Sequence, residues 1–285
     1  MPLSSDARAT NCEAFGSHRA GLDPRKGPVT PSIPPRDVEI LEAARVWANE
    51  SCAPLWWNEP EREHAADRRK VGTVCLVDTG ARLIGITAQH VHRQLAARLQ
   101  NGLTMSCQLG GMTFDPVSCL IDEDSDIDLA TYDLSPVAVA ASCSREWRAP
   151  SWPPPGAEVG MACSLGGYPY QLAADLQVAP SELTPAHRRE FKFLCFYVFR
   201  VSDRSSRRVV CDVDPENSPS WTNERFPTGA LFDGMSGGPL IQFPQTSGIT
   251  TFSLRAIIVD RAFNQVVCRP LQFVRPDGTL DRSLW

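Results

Sequence analysis

From Val71 onward the chain alternates short apolar runs with turn residues, a pattern that predicts strands rather than helices. Val71–Val77, Arg82–Ala88, Met105–Leu109 and Leu129–Leu134 form a first group. Glu158–Cys163, Cys195–Val201, Val209–Val213, Pro239–Phe243 and Leu254–Val259 form a second. Between them Glu146–Pro155 carries four prolines and two tryptophans and predicts a connection, because proline cannot donate to a central ladder. Helical periodicity is confined to two places. Asp37 offers an N-cap, and Ile40, Leu41, Ala44 and Trp47 share one face, which predicts a short amphipathic helix over about 37–49. His90 through Leu99 predicts a helical turn or two directly after a strand. Residues 1–35 are rich in Pro, Gly, Ser and charge, bury too little apolar surface to offset their ordering entropy, and are expected to be disordered.

The 285 residues exceed a typical single domain, yet all-β chains of this length often fold as one unit. A hydrophobic content of 42% with 21% charged residues places the chain among ordinary globular proteins. The formal charge of −5 argues against a nucleic-acid partner, which calls for a basic patch. No apolar run reaches the roughly 18 residues that cross a bilayer, and residues 1–8 hold no secretory core, so a cytoplasmic protein with no membrane partner is expected. The ten cysteines contain no Cys-x-x-Cys pair, and many stand in apolar runs such as Val74-Cys75-Leu76. Reduced thiols acting as small core residues are therefore expected, with no structural zinc site.

The chemistry concentrates in three short segments. Gly234-Met235-Ser236-Gly237-Gly238-Pro239 offers a serine whose glycine neighbours permit a sharp turn and free the amides of Gly234 and Ser236 for a developing oxyanion. Ile86-Thr87-Ala88-Gln89-His90 ends an apolar run in histidine, and Asp126-Ile127-Asp128-Leu129-Ala130 places acids at the head of another. The Gly-x-Ser-x-Gly spacing also fits an α/β-hydrolase elbow, whose histidine follows its serine. The five histidines (His18, His64, His90, His92 and His187) all precede Ser236, which excludes that triad. The acids from Asp124 imitate the start of an EF-hand loop, but its sixth position is Leu129 and its twelfth Ser135, so neither calcium nor another metal or cofactor is expected.

Taken in order, Thr87-Ala88-x-His90, Asp128-Leu129-Ala130 and Gly234-x-Ser236-Gly237-Gly238-Pro239 resemble the trypsin-like (chymotrypsin-fold) serine peptidases, in particular their bacterial, HtrA-type branch. The similarity runs from about Val71 to the end of the sequence, and Pro155-Gly156 with Leu165-Gly166-Gly167-Tyr168-Pro169 looks like the opening of that family's second barrel. The resemblance implies an all-β fold of two antiparallel six-stranded Greek-key barrels behind a short N-terminal helix. The expected organisation is 1–35 disordered, 36–70 helix and connection, 71–145 first barrel, 146–157 linker and 158–285 second barrel. It implies His90 as base, Asp128 as the acid that orients it (Asp126 in reserve), Ser236 as nucleophile, and the Gly234 and Ser236 amides as oxyanion donors. His92 is expected as a partly exposed neighbour.

Departures from the pattern are informative. Val91 stands where secreted trypsins bear a bridged cysteine. Met235 stands where trypsin zymogens carry an aspartate, so activation through a freed N-terminus is not expected. Ala230, six before the serine, matches the base of the family's P1 pocket and argues against Arg or Lys at P1. Arg261 is expected as a solvated loop arginine, with a cation at the pocket rim as the alternative. With 49 residues after Ser236, about enough to finish the barrel, no PDZ domain is expected. The expected activity is endopeptidase hydrolysis of a protein or peptide through an acyl-enzyme. A silent peptide-binding or chaperone module and an esterase with the same triad remain alternatives.

Overall fold

The computed structural model describes residues 35–58, 69–102, 107–135, 146–149, 151–169, 193–198, 200–213, 233–247, 249–262 and 264–285. Among the described residues the chain forms two curled, largely antiparallel sheets and two α-helices. The first sheet holds β1 (Cys52–Asn58), β2 (Arg69–Asp78), β3 (Leu83–Thr87), β4 (Cys107–Leu109), β5 (Met112–Thr113), β6 (Leu120–Asp124), β7 (Leu129–Asp133) and β8 (Trp147–Arg148). Its order is β5-β4-β1-β2-β3-β7-β6, with β8 joining β2 in parallel. The second sheet holds β9 (Cys163–Gly167), β10 (Leu194–Val198), β11 (Val201–Arg204), β12 (Val209–Asp212), β13 (Pro239–Gln242), β16 (Ser253–Ala262) and β17 (Gln265–Pro270). They run β10-β9-β13-β16-β17-β12-β11, while β14 (Gln245–Thr246) and β15 (Ile249–Thr250) form a separate hairpin. Among the described residues these sheets carry eight and seven short strands, against the six each of the expected barrels.

The all-β expectation holds, with adjustments that have physical causes. β1 is a central strand, so the first sheet begins at Cys52 rather than Val71. Pro54 obscures it, but Pro54 pairs with Thr73 beyond the β4 ladder, and its carbonyl still accepts from the Gly110 amide at 2.8 Å. The strand expected at Glu158–Cys163 instead opens in a turn at Gly160, whose φ is 81°, and the strand proper is Cys163–Gly167. Its two glycines are packing requirements. A β-carbon on Gly166 would lie 2.6 Å from the Phe193 ring, and one on Gly167 would lie 2.9 Å from the Met235 α-carbon. β8 falls within the stretch expected as a linker.

Helix α1 (Pro35–Glu50) spans the predicted segment and packs on β9, with Ala44 and Ala48 fully buried. Helix α2 (Gln89–Gln100) follows β3 and is three turns long. The expected disorder of 1–35 falls almost wholly outside the described residues.

β16 explains how the second sheet is buried on both faces. Ala256 and Ile258 point into one apolar cluster with Leu240 and Val209. Ile257 and Val259 point into the other, shared with first-sheet residues such as Ile84 and Leu129. Period-two alternation thus divides one apolar run between two cores. The eight described cysteines are free thiols, and all except Cys119 are buried. Among the described residues no helix is long and apolar enough to cross a membrane.

Candidate active site

Thr73 hydrogen-bonds the Ser236 loop to the first sheet. β2 runs past the end of β3, whose ladder begins at Cys75 opposite Ile86, so the backbone of Thr73 is left without a strand partner on that side. Its amide donates to Ser236 O at 2.9 Å, and its carbonyl accepts the Thr87 hydroxyl at 2.8 Å. The Thr73 hydroxyl donates to Gly234 O at 2.8 Å and accepts the Tyr168 amide at 3.0 Å. Gly238 N closes the turn on Met235 O at 2.8 Å, and Gly237 N is held by Ile258 O at the same distance. All three carbonyls from Gly234 to Ser236 are thereby bonded inward. Among the described residues neither the Gly234 nor the Ser236 amide is donated to a backbone carbonyl. Gly234 and Gly237 have φ of 94° and 93°, values that require glycine. Met235 is fully buried in the second apolar cluster, so its side chain acts as core.

His90 is delivered by the abrupt change from β3 to α2. Its imidazole stands in the first helical turn, about one-third exposed, with Nδ1 at 3.1 Å from both carboxylate oxygens of Asp128. The His90 amide, an unpaired donor at a helix start, also donates to Asp128 Oδ1 at 3.0 Å. One carboxylate therefore satisfies two donors and fixes the ring. Because Nδ1–H faces an acceptor-only group, the imidazole leaves Nε2 as its open nitrogen.

Asp128 closes the four-residue turn between β6 and β7, with φ of 57°. Asp124 Oδ1 shapes that turn by accepting the amides of Asp126 and Ile127 at 2.9 and 3.0 Å. The side chain brought to His90 is thus that of Asp128, while Asp126 is exposed. His92 differs from the expectation of partial exposure: it is 3% exposed. Two residues along a helix turn a side chain through about 200°, so His92 faces inward when His90 faces the cleft. Its Nδ1 is 3.0 Å from the Tyr132 hydroxyl, and burial lowers its pKa against an opposing influence from Glu123.

His90, Asp128 and Ser236 line one cavity of about 320 Å³, together with the Ile258–Arg261 end of β16. Arg261 lies within β16, and Asp233 and Asp260 add carboxylates to the same wall. Ala230 lies outside the described residues. Thr73, bonded to the serine loop, and Arg269 of β17, whose guanidinium donates to Ile127 O in the Asp128 turn, carry no sequence signal of their own.

No family model matches the chain, and no curated protein matches it significantly. Among solved structures, the chain is similar to a thermostable serine protease, AL20, from an extremophilic microorganism. The two share 12% identity over 78% of this chain and 92% of that one, with a TM-score of 0.44. It is also similar to the inactive form of Rv3671c from M. tuberculosis, at 13% identity over 81% and 86% of the two chains and a TM-score of 0.37.

Proposed function

We propose that the protein is a serine endopeptidase of the trypsin-like kind, acting through His90, Asp128 and Ser236. The observation that carries the reading is the bidentate approach of the Asp128 carboxylate to His90 Nδ1, inside the cavity that Ser236 also lines. In this mechanism His90 Nε2 removes the Ser236 proton as the oxygen attacks the carbonyl carbon. The same proton then goes to the leaving amine, which departs as the acyl-enzyme forms. Water repeats the sequence to release the acid. Asp128 remains ionised, holds the tautomer and stabilises the imidazolium. The Gly234 and Ser236 amides would receive the oxyanion, and removing one such donor typically costs about 3–4 kcal/mol of barrier.

Neither a metal nor a cofactor has a role in this scheme. An extended protein or peptide is the proposed partner, and the free, mostly buried cysteines fit a reducing compartment such as the cytoplasm. A fluorophosphonate probe, which reacts only with an activated serine, tests the reading against a silent peptide-binding module. Turnover of peptide against activated ester substrates tests it against an esterase. Labelling on Ser236 with peptide cleavage is the expected result.

A further inference from the structure

The carboxylate of Asp128 follows a peptide bond whose oxygen is held by the opposite sheet. Ile127 O accepts from Arg269 Nε, and Asp126 O accepts from Arg269 Nη2 at 3.4 Å. Arg269 belongs to β17 in the second sheet, whereas the Asp126–Asp128 turn joins β6 to β7 in the first. The φ of Asp128 measures rotation about its N–Cα bond relative to the Ile127 carbonyl carbon. Anchoring Ile127 O therefore restrains the torsion that aims Asp128. At 57° that torsion lies in the left-handed region, which a non-glycine residue keeps only when its surroundings over-determine it.

The rest of the turn is held from the far side. Asp124, whose Oδ1 takes two turn amides, receives Arg282 Nε on Oδ2 at 2.8 Å. Arg269 is itself immobilised. Its Nη1 donates to Arg207 O at 2.9 Å, and its guanidinium carbon lies 4.8 Å from the centre of the Trp285 ring. A single planar fork thus reaches three carbonyls in two directions, which an ammonium cannot reproduce.

We propose that Arg269 is a positioning residue for the reaction: it acts through Asp128, holding the Ile127–Asp128 peptide so that the carboxylate faces His90. This assignment rests on the serine endopeptidase reading above, and it makes the acid of one sheet dependent on a cation of the other.

The test is a double-mutant cycle in the full chain, with Arg269→Ala made both alone and with Asp128→Asn. The readouts are kcat and KM on a peptide and the rate of fluorophosphonate addition to Ser236. Acting through Asp128, Arg269→Ala lowers kcat and the labelling rate at least about tenfold with KM within about threefold, yet lowers labelling less than about twofold once Asp128 is Asn. Equal losses in the two backgrounds, or no loss in either, overturn the proposal. Arg269→Lys keeps the charge and an aliphatic stem but not the planar fork, so it is carried through the same cycle and decides the matter if Arg269→Ala does not fold. It is expected to lose about threefold or more in kcat, and only in the Asp128 background; an unchanged kcat overturns the proposal. Wild-type protein that is folded but never labelled at Ser236 overturns the endopeptidase reading itself, whereas a labelled wild type with an indifferent Arg269 removes only the positioning role.

Discussion

Gly237 lies so close to Thr73 that a β-carbon on it would sit 1.8 Å from the Thr73 carbonyl oxygen and 2.5 Å from the Thr87 hydroxyl. The relationship joins the serine loop to the first sheet, which also supplies His90 and Asp128. Glycine serves here twice, by leaving room for two strand residues and by adopting a φ of 93°. The placement of Ser236 against the first sheet is thereby set by backbone packing.

Gly237→Ala combines a clash with backbone atoms and a strained torsion. Each costs about 1–3 kcal/mol, so a loss of about 2–6 kcal/mol is expected. Urea unfolding of variant and wild type measures it. A midpoint unchanged within error contradicts the docking described for this loop.

Asp128→Asn presents the wrong hydrogen-bonding group to His90 Nδ1, and such a change drops turnover by about 10⁴. Asp126→Asn, at an exposed side chain, is expected to leave turnover within about threefold, since surface substitutions away from special features act weakly. Steady-state kinetics on one peptide substrate rank the two. The reverse order moves the acid to Asp126.

Burial lowers the pKa of His92 below its ordinary value near 6.5, so the unfolded chain binds a proton more readily than the folded one. The stability contributed by neutral His92 is present above about pH 6.5 and is lost as pH falls below it towards the folded pKa. Tyr132 and Glu123 face this ring, and the Glu123 charge opposes the shift without reversing it. His92→Gln can still hydrogen-bond the Tyr132 hydroxyl, as donor or acceptor, but does not titrate. Its urea midpoint is expected to fall less than that of wild type between pH 7.5 and pH 5, and an equal or larger fall removes His92 as the cause.

The parts legible in the sequence are those carried by local pattern. Gly234 to Pro239 announces a tight turn, and the apolar Leu83–Thr87 run followed by His90 marks a strand end, where the structure places both. Elements with mixed signals are less legible. Pro54 disguises β1, the acids Asp122 and Asp124 disguise β6, and Gly166-Gly167 disguise the end of β9. Each has a cause found only in three dimensions: a free ladder position for Pro54, Arg282 beside both acids, and close neighbours for the glycines. Arg269 illustrates the limit most clearly. It lies 141 residues from Asp128 in the sequence, and nothing in Val267-Cys268-Arg269-Pro270 announces that its side chain ends on the Ile127 carbonyl.

The central claim is that Ser236 is the activated nucleophile, served by the His90 held on Asp128. Intact-mass analysis and peptide mapping after fluorophosphonate treatment of the folded full chain test it most directly. A single adduct on Ser236, absent in Ser236→Ala and strongly slowed in His90→Ala, is the predicted result. Folded protein that carries no adduct, or carries it on another residue, would contradict the account.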